Sequence, residues 1–548
     1  MSSIPFVIGI TGHRDLRVCD IPQLTQQIRA QFASWMRLCP HTDFYCMTSL
    51  AEGADQLCGS IARELGMRLI VPLPMQQAEF EQDFSGSARE AFFNLLNNAS
   101  EAFVAPDIEQ QDDGSRDYGY RKAGIYVARH CHVLLALWDG LPGGSGCCGT
   151  AETVEFKTLK RYHAPDSFVN TPGEGIALQL VTPRASSQIA PESPLAWRYA
   201  GGTAKELLLL LKRTEAFNRD AQKADESRSC GVFEEQAARR IGPAAEQIQR
   251  VYVRADALAL SYRDRYLNSI RWLSAIGALL VASFLFYDEI ESNLFLLVYG
   301  LLALTALAVF WVARRGGIHQ RYIEYRLFAE TLRVQLNLYA SGLPISVDDL
   351  ASWSQRTSCP WIQAAVNALP LRAVLLEDSE IDVRAVWMQK QLDYQKTAYE
   401  VNRAKQTRQS RIAFALLVST ILFFIAVVAL EFAFSLWIAR EITLPAWFCR
   451  LFQTHDAHFF SARSIFKILL GIIPAFTFVV TSYYGKLSLS RKLKDGERMI
   501  ALYTQAITVY DDPRTDRKRL LNELAKEELA ETGGWFSYIS ENTPDILL

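Results

Sequence analysis

The hydrophobic rhythm of the chain changes near its middle. Over residues 4–184 short apolar runs alternate with stretches of amphipathic helical spacing. Runs at 6–11, 44–49, 69–73, 102–105, 133–138 and 177–182 read as strands, and 21–38, 54–65, 86–98, 119–129 and 150–162 as helices. Strands that are apolar on both faces and alternate strictly with helices predict an α/β, Rossmann-like domain built on a parallel sheet. This domain is expected over 1–184. Residues 185–205 are rich in Pro, Ser and Gly and open a segment, 185–232, that reads as a linker. From about Glu206 the spacing is helical to the end.

Four runs in this second part are almost pure hydrocarbon: WLSAIGALLVASFLFY, LFLLVYGLLALTALAVFWVA, IAFALLVSTILFFIAVVAL and ILLGIIPAFTFVVTSYYG. Uncharged stretches at 292–313, 412–430 and 468–485 each reach about 18 residues or more, enough to cross a bilayer core. The first run is shorter, and Arg271 at its edge can snorkel. Membrane spans are therefore expected at 270–288, 293–313, 411–438 and 466–485. A pattern of helix, span, turn, span and helix occurs twice, over 233–345 and 346–548. This predicts an all-α membrane domain of four transmembrane helices in two hairpins. Asp288, Glu289 and Glu291 mark the first turn between spans.

Charge at the span ends predicts orientation. Arg263, Arg265 and Arg271 precede the first span, and Arg314, Arg315 and Arg321 follow the second. Arg403, Lys405, Arg408 and Arg411 precede the third, and Lys486, Arg491, Lys492 and Lys494 follow the fourth. The first outer turn has no basic residue, while the second has a few, including Arg440, Arg450 and Arg463. The positive-inside rule then places both termini and the α/β domain in the cytosol, on a multi-pass inner-membrane protein.

Composition narrows the reading further. The 548 residues carry 57 basic and 59 acidic side chains, a balance that gives no support to nucleic-acid binding. Ten cysteines are scattered without metal-like spacing. Cys19, Cys39, Cys46, Cys58, Cys131, Cys147 and Cys148 fall in the first domain and read as reduced cytosolic thiols. The opening MSSIPFVIGITGHRD has no basic n-region, so the first apolar run is expected to act as the insertion signal.

Candidate chemistry lies where strands end. Gly9, Thr11, Gly12, His13 and Arg14 occupy the end of the first strand and the loop after it. Ligands of open parallel sheets bind beyond the C-terminal strand ends. Glycine there lets backbone N–H groups approach an anion, and Arg14 could pair with a phosphate; a plain strand-end turn is the alternative. Ser49, Glu52, Gly53 and Asp55 follow the second strand. Asp55 or Glu52 could accept from ribose hydroxyls and Ser49 could contact phosphate, or the segment is an ordinary helix start. Asp139, Gly140, Gly143, Gly144, Gly149, Thr150 and Glu152 follow the fifth strand as a glycine-rich nest before a helix. Three such loops on one sheet edge predict a nucleotide or nucleotide-derived ligand. His130-Cys131-His132 has no partners at zinc spacing, so no metal is expected. Glu431 could line a conduction path or mark the outer interface, and Gly471 with Pro474 could kink the fourth span.

The motifs GITGHR, SLAEGAD and WDG with GGSGCCGTAE, in that order over about residues 4–184, resemble the SLOG superfamily. These Rossmann-like domains bind or process nucleotides and include the LOG phosphoribohydrolases and DprA-type proteins. Pro142-Gly143-Gly144 matches the start of the LOG pattern. Extra residues then precede Gly149-Thr150, and Glu152 stands two residues after the threonine rather than three. The helical half, with YIEYRLFAETLRVQ after the second span, resembles the SLATT family of pore-forming membrane effectors. Together the resemblances imply a nucleotide-sensing effector of bacterial antiviral conflict systems. In it a cytosolic sensor gates a homo-oligomeric pore, without catalysis. The enzyme alternative is a membrane-anchored phosphoribohydrolase or nucleosidase with Glu152 as its acid or base. A passive nucleotide-binding scaffold is the third.

Overall fold

The structure is a computed structural model, and it describes residues 4–108, 115–141, 149–159, 175–187, 191–290, 292–369, 381–439, 445–446, 462–486 and 489–541. Its first part is a seven-stranded, mostly parallel sheet. The strands are β1 (Phe6–Gly12), β2 (Phe44–Met47), β3 (Arg68–Leu73), β4 (Glu101–Val104), β5 (Val133–Trp138), β6 (Ile176–Val181) and β7 (Trp197–Gly201). Their order across the sheet is β4-β3-β2-β1-β5-β6-β7. Six strands run parallel, and β7 pairs antiparallel with β6.

Helices α1 (Ile21–Leu38), α2 (Ala54–Glu64), α3 (Gly86–Asn97), α4 (Arg116–His130) and α5 (Thr150–Leu159) connect the parallel strands. Both faces are covered, so the central strands are continuously apolar: every residue of β6 is buried, as are five of the six in β5. The edges differ. β4 begins with exposed Glu101, and β7 exposes Arg198 and Tyr199, polar groups that discourage edge pairing. β7 and the following helix α6 (Ala204–Ala221) both lie within 185–232, the stretch whose composition reads as a linker.

The chain divides into two compact units. The first contains residues 1–259, 324–383 and 516–538. Segments far apart in the chain therefore share one compact unit with the sheet, and specific polar contacts join several of them. Asn218 of α6 exchanges two hydrogen bonds with the backbone of Ile4, at 2.9 and 2.8 Å. Asp220 of α6 accepts from Tyr325 (2.8 Å) and Arg213 pairs with Glu324 (3.3 Å), both on α9 (Ile318–Ala340). Arg129 of α4 pairs with Asp349, and Ala368, at the end of α10 (Pro360–Ala368), joins the apolar cluster beneath the sheet.

The second unit contains 260–323, 384–515 and 539–548. Four helices here are long and apolar enough to cross a membrane. They lie in α7 (Pro243–Ile290), α8 (Asn293–Arg315), α11 (Lys390–Ile438) and α12 (Ala462–Lys486). Between 0 and 17 % of each apolar window is buried, so nearly all of this hydrocarbon faces outward. Asp288 and Glu289 belong to the last turn of α7, and Glu291 lies outside the described residues. Within the unit, Ser283 donates to Phe295 O (2.9 Å) and Lys467 pairs with Glu289 (3.3 Å). Gly471 permits close approach of α12 to α7, since a Cβ there would stand 2.6 Å from Leu285. Pro474 lies inside α12. Helices α13 (Leu489–Tyr510) and α14 (Arg517–Glu541) follow.

Candidate functional site

The sheet reverses direction at β1. Strands β2, β3 and β4 build outward on one side of it and β5, β6 and β7 on the other. The crevice beyond the C-terminal ends of β1 and β5 is thus a topological switch point, the position where open α/β sheets hold ligands. His13 and Arg14 leave β1 there, Asp139 and Gly140 leave β5, and the loop after β2 lies on the other flank of β1.

Direct contacts join these loops. The backbone of Ala54 donates to His13 O (3.0 Å), and His13 N donates to Leu137 O (3.0 Å). Gly53 adopts φ +83°, and a Cβ there would stand 2.3 Å from Arg14 O and 2.6 Å from His13 O. Only glycine therefore lets the second loop close on the first.

His13 is buried between the strand ends. Its Nε2 accepts from the backbone N–H of Asp139 at 3.0 Å, and Arg184 Nε stands 3.3 Å from the same nitrogen. Burial lowers the pKa of His13 against the opposing pull of Asp139, and the charge of Arg184 lowers it further. The ring is accordingly a neutral acceptor that braces the β1 and β5 loops. Asp139 also takes an ion pair from Arg184 (3.3 Å) and accepts from Leu141 N (3.1 Å).

Asp55 is turned inward. Its carboxylate accepts from Thr48 Oγ1 at 2.8 Å, and the backbone N–H groups of Ala51 and Ser49 face it. Burial nevertheless raises its pKa to about 6, outweighing those hydrogen bonds and the charge of Arg14. It braces the turn in which Leu50 holds φ 59°. Ser49 donates to Pro72 O (2.9 Å) on the neighbouring strand, and Glu52 is exposed.

Arg14 offers a half-exposed positive charge. Its side chain is 48 % exposed, lies 5.3 Å over the Tyr120 ring and stands 3.9 Å from Asp83. Asp83 is also engaged by Arg116 and by the Tyr120 hydroxyl. Glu152, in the first turn of α5, is held by Arg121 of α4 at 2.6 and 3.2 Å. Thr150 opens that helix, and Gly149 is exposed just before it. Gly143 and Gly144 lie outside the described residues. Gly9 and Thr11 sit within β1, with Gly9 packed under Cys131.

The structure thus brings together Gly12, His13, Arg14, Gly53, Asp55, Asp139 and Gly140. It adds Arg184, Tyr120, Asp83, Arg121 and Thr48, which sequence reasoning missed. Arg184 was within reach of the same rule, standing three residues past the end of β6. Tyr120 and Arg121 gave no signal, because a helix face does not announce which loop it meets. His132 is buried and His130 half-buried, both apart from this edge. His130 meets Asn367 O, and His132 Nδ1 accepts from Val7 N while its ring stacks on Phe6. Burial pushes the pKa of each down to about 3. No family model matches the chain, and no curated protein matches it.

Proposed function

We propose that this chain is a membrane-embedded sensor, in which a nucleotide-derived ligand at the β1/β5 switch point controls the packing of the four spans. One observation carries the reading. Half-exposed Arg14 and Arg184 (40 % exposed) stand at the C-terminal sheet edge beside loops that glycine lets close on one another, in a chain with four outward-facing apolar helices. Guanidinium groups and loop N–H groups are the donors a phosphate needs. The resemblance to SLOG sensors and SLATT effectors supports the same reading, with antiviral defence as its setting.

In this proposal the spans form two hairpins in the inner membrane, with both termini and the sheet in the cytosol. Several copies assemble, and ligand binding shifts them toward an open pore. A near-complete switch needs a difference of about 5.5 kcal/mol in ligand affinity between the states, which several sensors in one oligomer would share. The continuity of α7 across the boundary between the units, at 259–260, offers a covalent route for that shift.

The test uses the whole chain, because the sheet's unit draws on residues as far as 538. Full-length protein in proteoliposomes is incubated with a nucleotide panel, and thermal stabilisation, ion flux and the recovered ligand's mass are measured. A ligand that stabilises the parent but not Arg14→Gln, opens flux and returns intact supports the sensor. Liposomes that stay sealed under a stabilising ligand remove the pore. A ligand returned cleaved at its glycosidic bond makes the sheet edge a hydrolase with Glu152 in its machinery.

A further inference from the structure

Away from the sheet edge, unmatched positive charge gathers where helices of the second unit meet their apolar spans. Along one face of α11 a shallow, open groove of about 740 Å³ is lined by residues of that helix alone among the described residues, including Glu400, Arg403, Thr407, Arg408, Arg411 and Ile412. Arg403, Arg408 and Arg411 are exposed, and none of them makes an ion pair among the described residues. Eight residues separate Arg403 from Arg411, about 12 Å along a helix. Glu400, at the far end, is the single carboxylate in the lining.

A second observation points the same way. Lys492 of α13 lies within Coulombic range of Lys405 on α11 and Arg263 on α7. Loss of hydration, and then those two charges, hold its pKa below the ordinary lysine value. Arg263 has its neighbour Asp264 (3.1 Å), whereas Lys405 and Lys492 have no ion pair among the described residues. Like charges from three helices thus lie within Coulombic range of Lys492, and an anion nearby would ease their repulsion.

Proximity to a span end does not by itself produce this. After the second span, Arg314 and Arg315 lie over the rings of Phe310 and Trp311, at 5.8 and 4.7 Å. Arg321 donates to the Tyr262 hydroxyl at 2.7 Å. Beyond Ile412 the arginine-lined helix exposes Phe414, Leu417 and Ile421. Charge that binds phosphate therefore runs directly into surface that binds hydrocarbon.

We propose that this groove is a binding site for an anionic phospholipid, with its phosphate held by Arg403, Arg408 and Arg411 and an acyl chain along the apolar surface below. Arginine suits the task because its planar fork matches phosphate oxygens in pairs. The inference rests on the spans lying in a bilayer and is independent of any ligand at the sheet edge.

Native mass spectrometry of the full-length protein in detergent, titrated with phosphatidylglycerol, tests it. The parent should retain phosphatidylglycerol in preference to phosphatidylcholine. Substituting Arg403→Gln, Arg408→Gln and Arg411→Gln together should weaken that binding roughly a hundredfold. Arg314→Gln with Arg315→Gln should leave it within about twofold. Circular dichroism checks that the triple variant folds; if it does not, Arg408→Gln alone is read, with a loss of about fivefold expected. Equal retention of phosphatidylcholine, an unchanged triple variant, or an equal loss in the Arg314/Arg315 variant overturns the site. Displacement of the lipid by millimolar inorganic phosphate makes it a free-anion site instead and overturns the lipid assignment.

Discussion

Leu134 of β5 is fully buried, while Leu304 of α8 leaves 65 % of its surface exposed, although each stands within a strongly apolar stretch. The first leucine is covered by helices on both faces of the sheet. Among the described residues little covers the second, as holds for Trp272, Phe414 and Phe432, each 66–69 % exposed. One chain thus treats hydrocarbon in two ways: the sheet hides it from water, and four helices expose it along lengths able to cross a bilayer. Charge follows the same division. At the sheet edge His13, Asp139 and Arg184 satisfy one another across loops, whereas beside the third span Arg403, Arg408 and Arg411 are left open.

The sharpest way to break this comparison is to truncate both leucines. Leu134→Ala should lower the stability of the sheet unit by about 2–5 kcal/mol, since it removes packed atoms and leaves a cavity. Leu304→Ala should cost under about 1 kcal/mol, because lipid replaces the lost contact. Unfolding midpoints of the two full-length variants in the same detergent decide it, and equal losses would mean that α8 packs like a soluble helix.

Charge insertion is the next largest effect. Leu304→Arg should disfavour membrane insertion of α8 by about 2.5–3.5 kcal/mol. Leu209→Arg, at a 46 % exposed position on α6, should alter stability by under about 0.5 kcal/mol. A glycosylation-based insertion assay reads the first and thermal unfolding the second.

Asp55 sharpens the contrast through pH. Its folded pKa, about 6, exceeds the ordinary value of 3.8, so the folded state binds the proton more tightly than the unfolded chain. Stability from this group is therefore highest below about pH 4, falls as pH rises toward 6 and is level above. The loss amounts to roughly 2–3 kcal/mol. Asp55→Asn should flatten that slope in unfolding midpoints measured between pH 4 and 7; an unchanged slope would assign it to other groups.

The smallest effect on stability belongs to Arg14. Arg14→Gln should shift the unfolding free energy by under about 0.5 kcal/mol, because the side chain is half exposed and its pair with Asp83 is long. A large loss would make Arg14 a structural residue and weaken its assignment to ligand.

Much of the architecture is legible in the sequence. The strands at 6–11 and 133–138 announce themselves by continuous apolar runs, and β5 occupies Val133–Trp138. The four spans announce themselves by length. Both signals are local, and backbone periodicity turns them directly into elements. The candidate site was legible only as strand-end loops. Which side chains meet within those loops depends on pairs far apart in the chain, such as His13 with Asp139 and Arg121 with Glu152.

The sequence alone therefore determined the six parallel strands with the helices between them and four helices able to span a membrane, because each follows from the period or length of one continuous stretch. The antiparallel β7, by contrast, lies in a stretch that reads as a linker. Tertiary structure alone decided three further points. Asp55 turns into its own loop, Arg184 completes the edge, and residues 324–383 and 516–538 pack with the sheet in one compact unit. Those outcomes rest on complementary surfaces between distant segments, such as Asn218 against Ile4 and Arg129 against Asp349. Shape and hydrogen-bond matching of that kind exists only once the chain has folded back on itself.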